Sequence, residues 1–250
     1  MELSAGFFAL AVPAVIFAGV SKGGFGSGAA FAAAPFLALI LEPGQAIGVM
    51  LPLLMLMDVA ALKPYWRQWN RAIARRLILA GLPGVALGAA LYGLADADVM
   101  RLLIGGVALG FVAFRLSIEV GWLRPERLHM APAWGWFWGA LAGFTSFISH
   151  AGGPPAAVYM LSQRMTKAEY QATTVILFWA VNLMKAVPYA ALGMFTPATL
   201  TAGLWLAPVA LFGIWLGVKL HRMVSERTFF RLTYLFLVLT GAKLIWDALT

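Results

Sequence analysis

No cysteine occurs in this chain of 250 residues, and charged residues make up only 11% of it. The absence of cysteine excludes disulfides, thiolate catalysis and thiolate-ligated metals or clusters. Soluble domains carry about 25% charged residues, because they must cover a surface that faces water. Since 62% of this chain is hydrophobic, its composition predicts a polytopic membrane protein with little room for a soluble domain.

Motifs for nucleotide and metal chemistry are also absent. The chain has no G-x-x-x-x-G-K-[ST] loop, so ATP-driven activity is not predicted. Its three histidines form no H-E-x-x-H motif or similar zinc spacing. The N-terminal stretch MELSAGFFAL has no basic region, so a cleaved signal peptide is not expected. We predict no catalytic residues, no cofactor and no metal site.

Ten apolar segments follow one another along the chain, and a bilayer core of about 30 Å needs about 20 apolar residues per straight helix. They cover residues 4–20, 28–41, 45–63, 73–94, 99–120, 133–149, 152–162, 168–190, 198–221 and 228–248. The first two segments in each set of five are short, and they are joined by the turns SKGGFGSG (21–28) and SHAGGPP (149–155). The predicted fold is an all-α polytopic membrane protein with two repeats of five segments. Each repeat opens with a pair of short, broken or re-entrant helices.

Basic residues concentrate in alternate connections between the segments, which is the pattern of cytoplasmic loops. This pattern also accounts for the net charge of +8 without a nucleic acid partner. The basic positions are Lys63, Arg67, Arg71, Arg75, Arg76, Arg124, Arg127, Arg164, Lys167, His221, Arg222 and Arg227. The connections Asp96–Asp98 and Gly193–Pro197 lack basic residues and are predicted to be external. Both termini are then outside an inner (plasma) membrane, and the two halves enter that membrane from opposite sides.

The two halves of the chain resemble each other weakly when one is shifted by 124 positions. This shift pairs Gly28 with Gly152, Ser21 with Thr145, Asp58 with Asn182, Ala32-Ala33 with Ala156-Ala157, and Pro64-Tyr65 with Pro188-Tyr189. Repeats of opposite orientation are typical of secondary transporters. We therefore predict a first repeat over 1–120, a cytoplasmic linker over 121–132 and a second, inverted repeat over 133–250, together forming one membrane domain.

The first turn places a lysine among glycines at the tip of a short helix pair. Glycines allow the backbone to approach a ligand closely, and a helix that starts near Gly28 directs N–H groups and a positive dipole end toward the turn. The predicted anion-binding residues here are Lys22, Gly23, Gly24, Ser27 and Gly28. The alternative is that the lysine side chain extends to the membrane interface.

The second turn carries a histidine and hydroxyl groups before a helix that starts near Pro155. Proline suits a helix start because the first turn needs no N–H donor. The predicted binding residues are Thr145, Ser149, His150, Gly152 and Gly153. His150 is also a candidate for proton coupling, with a hydrogen-bonded packing role as the alternative. The hydroxyls of serine and threonine can instead bond to their own helix backbone.

Three further polar residues lie inside apolar segments. Asn182 and Lys185 are three residues apart, so they share one face of a helix and are predicted to contact the substrate. Lys185 could instead reach the external surface. Asp58 is the only acid well inside an apolar segment, and it is a candidate for proton relay or for an ion pair with a lysine. The patterns Gly84–Gly88 and Gly213–Gly217 indicate helix packing.

The two turns resemble those of a known family. The run FTSFISHAGGPPAAVYMLSQRMTKAEYQATT, with FWAVNLMKAVPYAALGMF after it, closely resembles the second half of TauE/SafE proteins, and SKGGFGSGAAFAAAPFLALILEP resembles their first-half motif. The similarity covers essentially the whole chain. It implies a bacterial inner-membrane secondary transporter of sulfite, sulfoacetate or related organosulfonates, coupled to a proton or a sodium ion. The second glycine cluster is reduced here to Gly152-Gly153, which leaves the exact substrate open.

Other functions remain as alternatives. A membrane enzyme acting on a lipid or a sulfur compound would use His150 as a base, but the sequence offers no clear partner for it. An assembly subunit without a substrate would not explain polar breaks at matching positions. A metal-cation transporter would require carboxylates where this chain has lysines. The expected partners are a small anion and the lipid bilayer, and homo-oligomerisation remains open.

Overall fold

The computed structural model describes residues 3–24, 30–220, 223 and 226–250. These ranges contain ten α-helices and no strand, which confirms the all-α prediction and matches the ten apolar segments. The helices are α1 (Ala5–Gly24), α2 (Ala33–Leu37), α3 (Pro43–Leu62), α4 (Arg71–Leu94), α5 (Ala97–Glu119), α6 (Trp134–Ser149), α7 (Gly153–Leu161), α8 (Lys167–Ala191), α9 (Pro197–Leu220) and α10 (Glu226–Leu249). Short 3-10 turns cover Ala30–Ala32, Lys63–Tyr65 and Pro125–Arg127.

Seven of the helices in the described part of the chain, namely α1, α3, α4, α5, α8, α9 and α10, are long and apolar enough to cross a membrane. The other three have 5, 16 and 9 residues (α2, α6 and α7). At 1.5 Å per residue, a helix of 16 residues reaches only about 24 Å, which is less than the thickness of a bilayer core. The chain is therefore a multi-pass membrane protein in which short helices lie among long ones.

Capping side chains define where three of the helices begin. The Asn70 side chain accepts a hydrogen bond from the Ile73 N–H at the start of α4, and Asp96 caps α5 in the same way. Thr166 and Glu169 form a capping box at the start of α8. Such caps satisfy the N–H groups that a helix leaves unpaired in its first turn.

Helix α1 is longer than the sequence predicts, because it continues through Gly23 and Gly24 to its end. A side chain at Gly23 would collide with the Ile214 carbonyl oxygen, and one at Gly24 would collide with that of Gly217. The two glycines therefore allow α1 to lie directly against the backbone of α9. This packing outweighs the low helix propensity of glycine. The predicted turn at 21–28 is therefore helical at least through Gly24.

The first helix of each half packs against a helix of the other half. Helix α1 lies along α9, and α6 lies along α4. Helix α3 contacts α8 and α9, α8 contacts α3 and α4, and α5 pairs with α10. Each helix can be replaced by the helix five places later, with the count continuing from α10 to α1. The pair α1–α9 then becomes α6–α4, and the pair α3–α9 becomes α8–α4. The two halves are thus interleaved rather than side by side.

Glycines make these interleaved contacts close, as the GxxxG patterns predict. A Cβ atom at Gly217 would lie 2.5 Å from the Val20 carbonyl oxygen, and one at Gly88 would lie 2.7 Å from the Phe147 Cβ. A side chain at Gly84 would collide with the Ala140 carbonyl oxygen. The packing role predicted for both glycine pairs is confirmed.

The connections predicted to share a side of the membrane lie together. Residues 42–45 and 95–97 line one cavity together with Gly193, Met194 and Thr196, and Glu42 also lines a second cavity with Asp247. At the opposite end, the Asn70 N–H donates to Thr173 Oγ1 at 3.0 Å, and Gln163 Nε2 donates to the Met130 carbonyl oxygen at 3.1 Å. Which of the two ends is cytoplasmic stays a prediction from the basic loops.

We expect Gly84→Ala to destabilise the protein, because its methyl group would collide with the backbone of α6. Overpacking of this kind costs about 1–3 kcal/mol. Thermal unfolding of the detergent-purified protein measures the effect. Gly106→Ala is the matched control, since a Cβ there meets nothing within 4 Å. Equal midpoints for the two variants would contradict the close packing of α4 on α6.

Candidate functional site

Lys22 forms a buried ion pair with Asp58, which joins the last turn of α1 to α3. The two side chains are only 7% and 3% exposed. Lys22 Nζ also donates to the Leu54 carbonyl oxygen at 3.3 Å. The lysine therefore points into the protein, and the alternative in which it extends to the membrane interface is wrong.

Asp58 uses its second oxygen to bind the other half of the chain. Asn182 Nδ2 donates to Asp58 Oδ2 at 2.6 Å, and both residues are buried. The two positions are 124 residues apart, which is the shift that aligns the two halves in sequence. Residues that the shift makes equivalent are thus in direct contact at the junction of α3 and α8.

Lys185 lies one turn after Asn182 on α8 and is fully buried. Its Nζ has three hydrogen-bond partners: the Ser146 carbonyl oxygen at 3.0 Å, Ser146 Oγ at 3.0 Å and His150 Nδ1 at 2.8 Å. Three partners match the three N–H groups of an ammonium ion. The alternative in which Lys185 reaches the external surface is therefore wrong.

His150 ends α6 in a left-handed conformation, with φ at 58°, and its ring connects two other helices. Its Nε2 lies 3.1 Å from the Ile47 carbonyl oxygen of α3. Because a carbonyl oxygen only accepts, Nε2 carries the hydrogen, and Nδ1 is left to accept from Lys185. If Lys185 is an ammonium ion, His150 is therefore a neutral imidazole, and its ring joins α3, α6 and α8.

The hydroxyls of Thr145 and Ser149 contact backbone of their own turn. Thr145 Oγ1 lies 2.9 Å from the Leu141 carbonyl oxygen and 3.0 Å from that of Ala151. Ser149 Oγ donates to the Thr145 carbonyl oxygen at 3.5 Å. This is the local bonding expected of helical hydroxyls. Contact of either residue with a substrate stays a prediction.

Three of the predicted glycines occupy tightly packed positions. Gly23 and Gly24 face α9, as described above, and a Cβ at Gly152 would lie 2.6 Å from the Ala142 carbonyl oxygen. Gly153 starts α7 with prolines after it, so the predicted proline start is confirmed. Since proline has no N–H group, this helix start offers fewer donors than an ordinary one. Ser27 and Gly28 lie outside the described residues.

The sequence analysis did not identify Ser146 as a partner of the buried Lys185. A signal was available, because the shift of 124 that pairs Asp58 with Asn182 also places Ser146 opposite Lys22. The backbone carbonyls of Ile47 and Leu54 have no sequence signal at all. The part of the chain that the structure describes contains no cluster of three or more His, Asp or Glu residues that could hold a metal ion.

The network thus joins both helix tips to the centre of the bundle through α3 and α8. A family model described as sulfite exporter TauE/SafE matches residues 11–244. The chain belongs to the TauE/SafE family. No curated protein and no solved structure gives a significant match. The match spans both turns and the buried Lys22, Asp58 and Lys185 of this TauE/SafE protein, and it confirms the family that the two turns resemble. Membership in a transporter family agrees with the prediction that the chain is not an enzyme.

We expect Asp58→Leu to cost about 3–5 kcal/mol of stability, because it leaves the buried Lys22 without a counter-charge. The double variant Lys22→Met/Asp58→Leu should recover much of this loss, since it removes both charges. Thermal unfolding in detergent measures both variants.

The control for these variants is the exposed pair Lys243–Asp247. Lys243→Met/Asp247→Leu should change stability by less than about 1 kcal/mol. If the double variant at the buried pair were as unstable as the sum of its two single variants, Lys22 and Asp58 would not be energetically coupled.

Proposed function

We propose that this TauE/SafE protein is a secondary transporter of small sulfur-containing anions such as sulfite or organosulfonates. It carries them by alternating access through a site between the two helix tips. The observation that supports this function is the excess of positive charge inside the bundle. Lys22 and Lys185 are both buried, whereas Asp58 is the single buried acid among the described residues.

A site of this kind favours an anion over a cation. Charged groups inside a membrane protein are costly and are kept for function. Lys22 is balanced by Asp58, but Lys185 has only neutral hydrogen-bond partners. A metal cation would add to the uncompensated positive charge, while an anion would remove it.

Two observations support a repeat that relates the halves 1–120 and 133–250. The helix contacts repeat after five helices, and the equivalent residues Asp58 and Asn182 touch each other. Equivalent residues can meet in this way only near the axis that relates the two halves. If α1 and α2 together enter and leave the membrane on the same side, the first half makes three further crossings. Because this number is odd, the second half begins on the opposite side of the membrane and is inverted.

The interleaved packing supports a proposal for which helices move together. Helix α1 is held by α9 and α6 by α4 through contacts between backbones. We expect each of these pairs to move as one unit, composed of helices from both halves. The contacts between α3 and α8, which carry the polar network, then change during transport.

The candidate binding groups are the two lysines, Asn182, His150 and the backbone at Gly152–Gly153. Because Lys185 already has three hydrogen-bond partners, an anion must replace one of them. His150 is our candidate for coupling to protons, since a proton on Nδ1 would end its contact with Lys185. A sodium ion is the other candidate coupling ion. We place the protein in the inner membrane with both termini outside.

The test is uptake of radiolabelled sulfite into proteoliposomes, with and without a pH gradient. We expect saturable uptake by the natural protein and a loss of roughly tenfold or more for Lys185→Met, because a charge-assisted hydrogen bond is worth about 1.5–3 kcal/mol. Lys243→Met is the control, since it removes an exposed lysine from α10. Equal losses for the two variants would remove Lys185 from the site, and the absence of any anion uptake would favour an assembly subunit.

A further inference from the structure

Resting on this proposed function, we propose that the site selects anions by charge and accepts singly charged oxyanions. Sulfonates with one negative charge and hydrogen sulfite fit this class. Sulfate, sulfoacetate and the doubly charged sulfite ion do not, so dissolved sulfite is carried as hydrogen sulfite, which is also present at neutral pH. The argument depends on how much charge the polar network leaves uncompensated.

With Lys185 as an ammonium ion, its contact with His150 contributes one positive charge. His150 Nε2 donates its hydrogen to the Ile47 carbonyl oxygen, so Nδ1 is available as an acceptor. Lys185 Nζ is 2.8 Å from this nitrogen and 3.0 Å from both oxygens of Ser146. An ammonium ion beside a neutral imidazole satisfies all of these contacts, and it gives the pair a charge of +1.

The contact between Lys22 and Asp58 contributes no net charge. The lysine pairs with one carboxylate oxygen, and the neutral amide of Asn182 donates to the other at 2.6 Å. Both carboxylate oxygens are therefore engaged within this group of three residues. Asp58 is not available to neutralise Lys185 as well.

Among the described residues, the aromatic side chains that pack against this network add no further charge. Tyr189 packs near both Lys185 and His150, and its neutral hydroxyl donates to the Phe147 carbonyl oxygen at 2.6 Å. Tyr92 packs against Phe147 from α4 and is also a neutral phenol. The stretch 25–29, which directly follows Gly24, has the sequence FGSGA and contains no ionisable side chain. The network as a whole carries a charge of +1.

The charge of +1 on the polar network determines which charge an anion must carry to bind most tightly. A singly charged anion makes the buried site neutral, whereas a doubly charged anion leaves one uncompensated negative charge inside the bundle. An unpaired charge in a medium of low polarity is strongly unfavourable. The site should therefore separate anions of similar size and shape by their charge alone.

The experiment compares matched anions as competitors of radiolabelled methanesulfonate uptake into proteoliposomes at neutral pH. Methanesulfonate is compared with sulfate, and ethanesulfonate with sulfoacetate and 1,2-ethanedisulfonate. We expect the singly charged member of each set to inhibit at concentrations at least roughly tenfold lower, equivalent to about 1.4 kcal/mol. Equal inhibition within each set would overturn the proposal while leaving anion transport intact. If radiolabelled sulfite is taken up but methanesulfonate is not, the proposal is also overturned, and if neither is taken up, the proposed function itself fails.

Sulfite provides a second measurement on the unmodified protein. As the pH falls, sulfite takes up a proton to become hydrogen sulfite, while methanesulfonate keeps one charge throughout. We expect inhibition by total sulfite to strengthen as hydrogen sulfite replaces sulfite, relative to inhibition by methanesulfonate at the same pH. A constant ratio between the two inhibitors would contradict the proposal, because any titration of His150 acts on both of them.

Variants of Asp58 change the charge of the network directly. Asp58→Asn raises it to +2, and we expect inhibition by sulfate to strengthen relative to inhibition by methanesulfonate. Lys22→Gln/Asp58→Asn returns the charge to +1 and should restore the preference for methanesulfonate. Asp247→Asn, an exposed position, is the control. A folded Asp58→Asn protein with an unchanged preference would overturn the proposal, and if this variant does not fold, the two measurements on the unmodified protein decide.

Discussion

The ion pair between Lys22 and Asp58 is the contact on which the centre of the molecule depends. It holds the last turn of α1 against α3, and the free oxygen of the same carboxylate binds Asn182 on α8. A buried carboxylate is stable only if its charge and its hydrogen-bonding capacity are both satisfied. This requirement determines the relative positions of three helices from both halves of the chain.

Close packing of helix backbones is the second constraint. It brings the helices near enough for the Lys22–Asp58 ion pair to form. Glycines on α1 and α9, and on α4 and α6, let these helices approach until side chains are excluded from the contact. The side chains of Lys22 and His150, at the ends of α1 and α6, are thereby buried between helices. Polar groups at such depth must satisfy one another, because lipid offers no hydrogen bonds. Tight apolar packing and the polar network are two consequences of the same arrangement.

Much of the fold and part of the site could be predicted from local features of the sequence. Apolar run length predicted all ten helices of the described residues, and the glycine spacing predicted the contacts at Gly84 and Gly217. The end of α1 was wrong by four residues, because glycines that favour a turn in isolation are stabilised in a helix by contact with α9. Of the site, the sequence predicted that Lys22, Lys185 and His150 are important, but it left an interfacial or surface position open for each lysine.

By itself, the sequence determined the class of protein, the number of helices and the family, because composition, hydrophobic length and the motifs at the two turns are local properties of the chain. Tertiary structure alone decided which group each buried charge contacts. Lys185 meets Ser146 and His150, and Asp58 meets Lys22 and Asn182, through contacts between residues 35 to 124 positions apart. Such partners depend on how interleaved helices pack, and no periodicity along the chain records that packing.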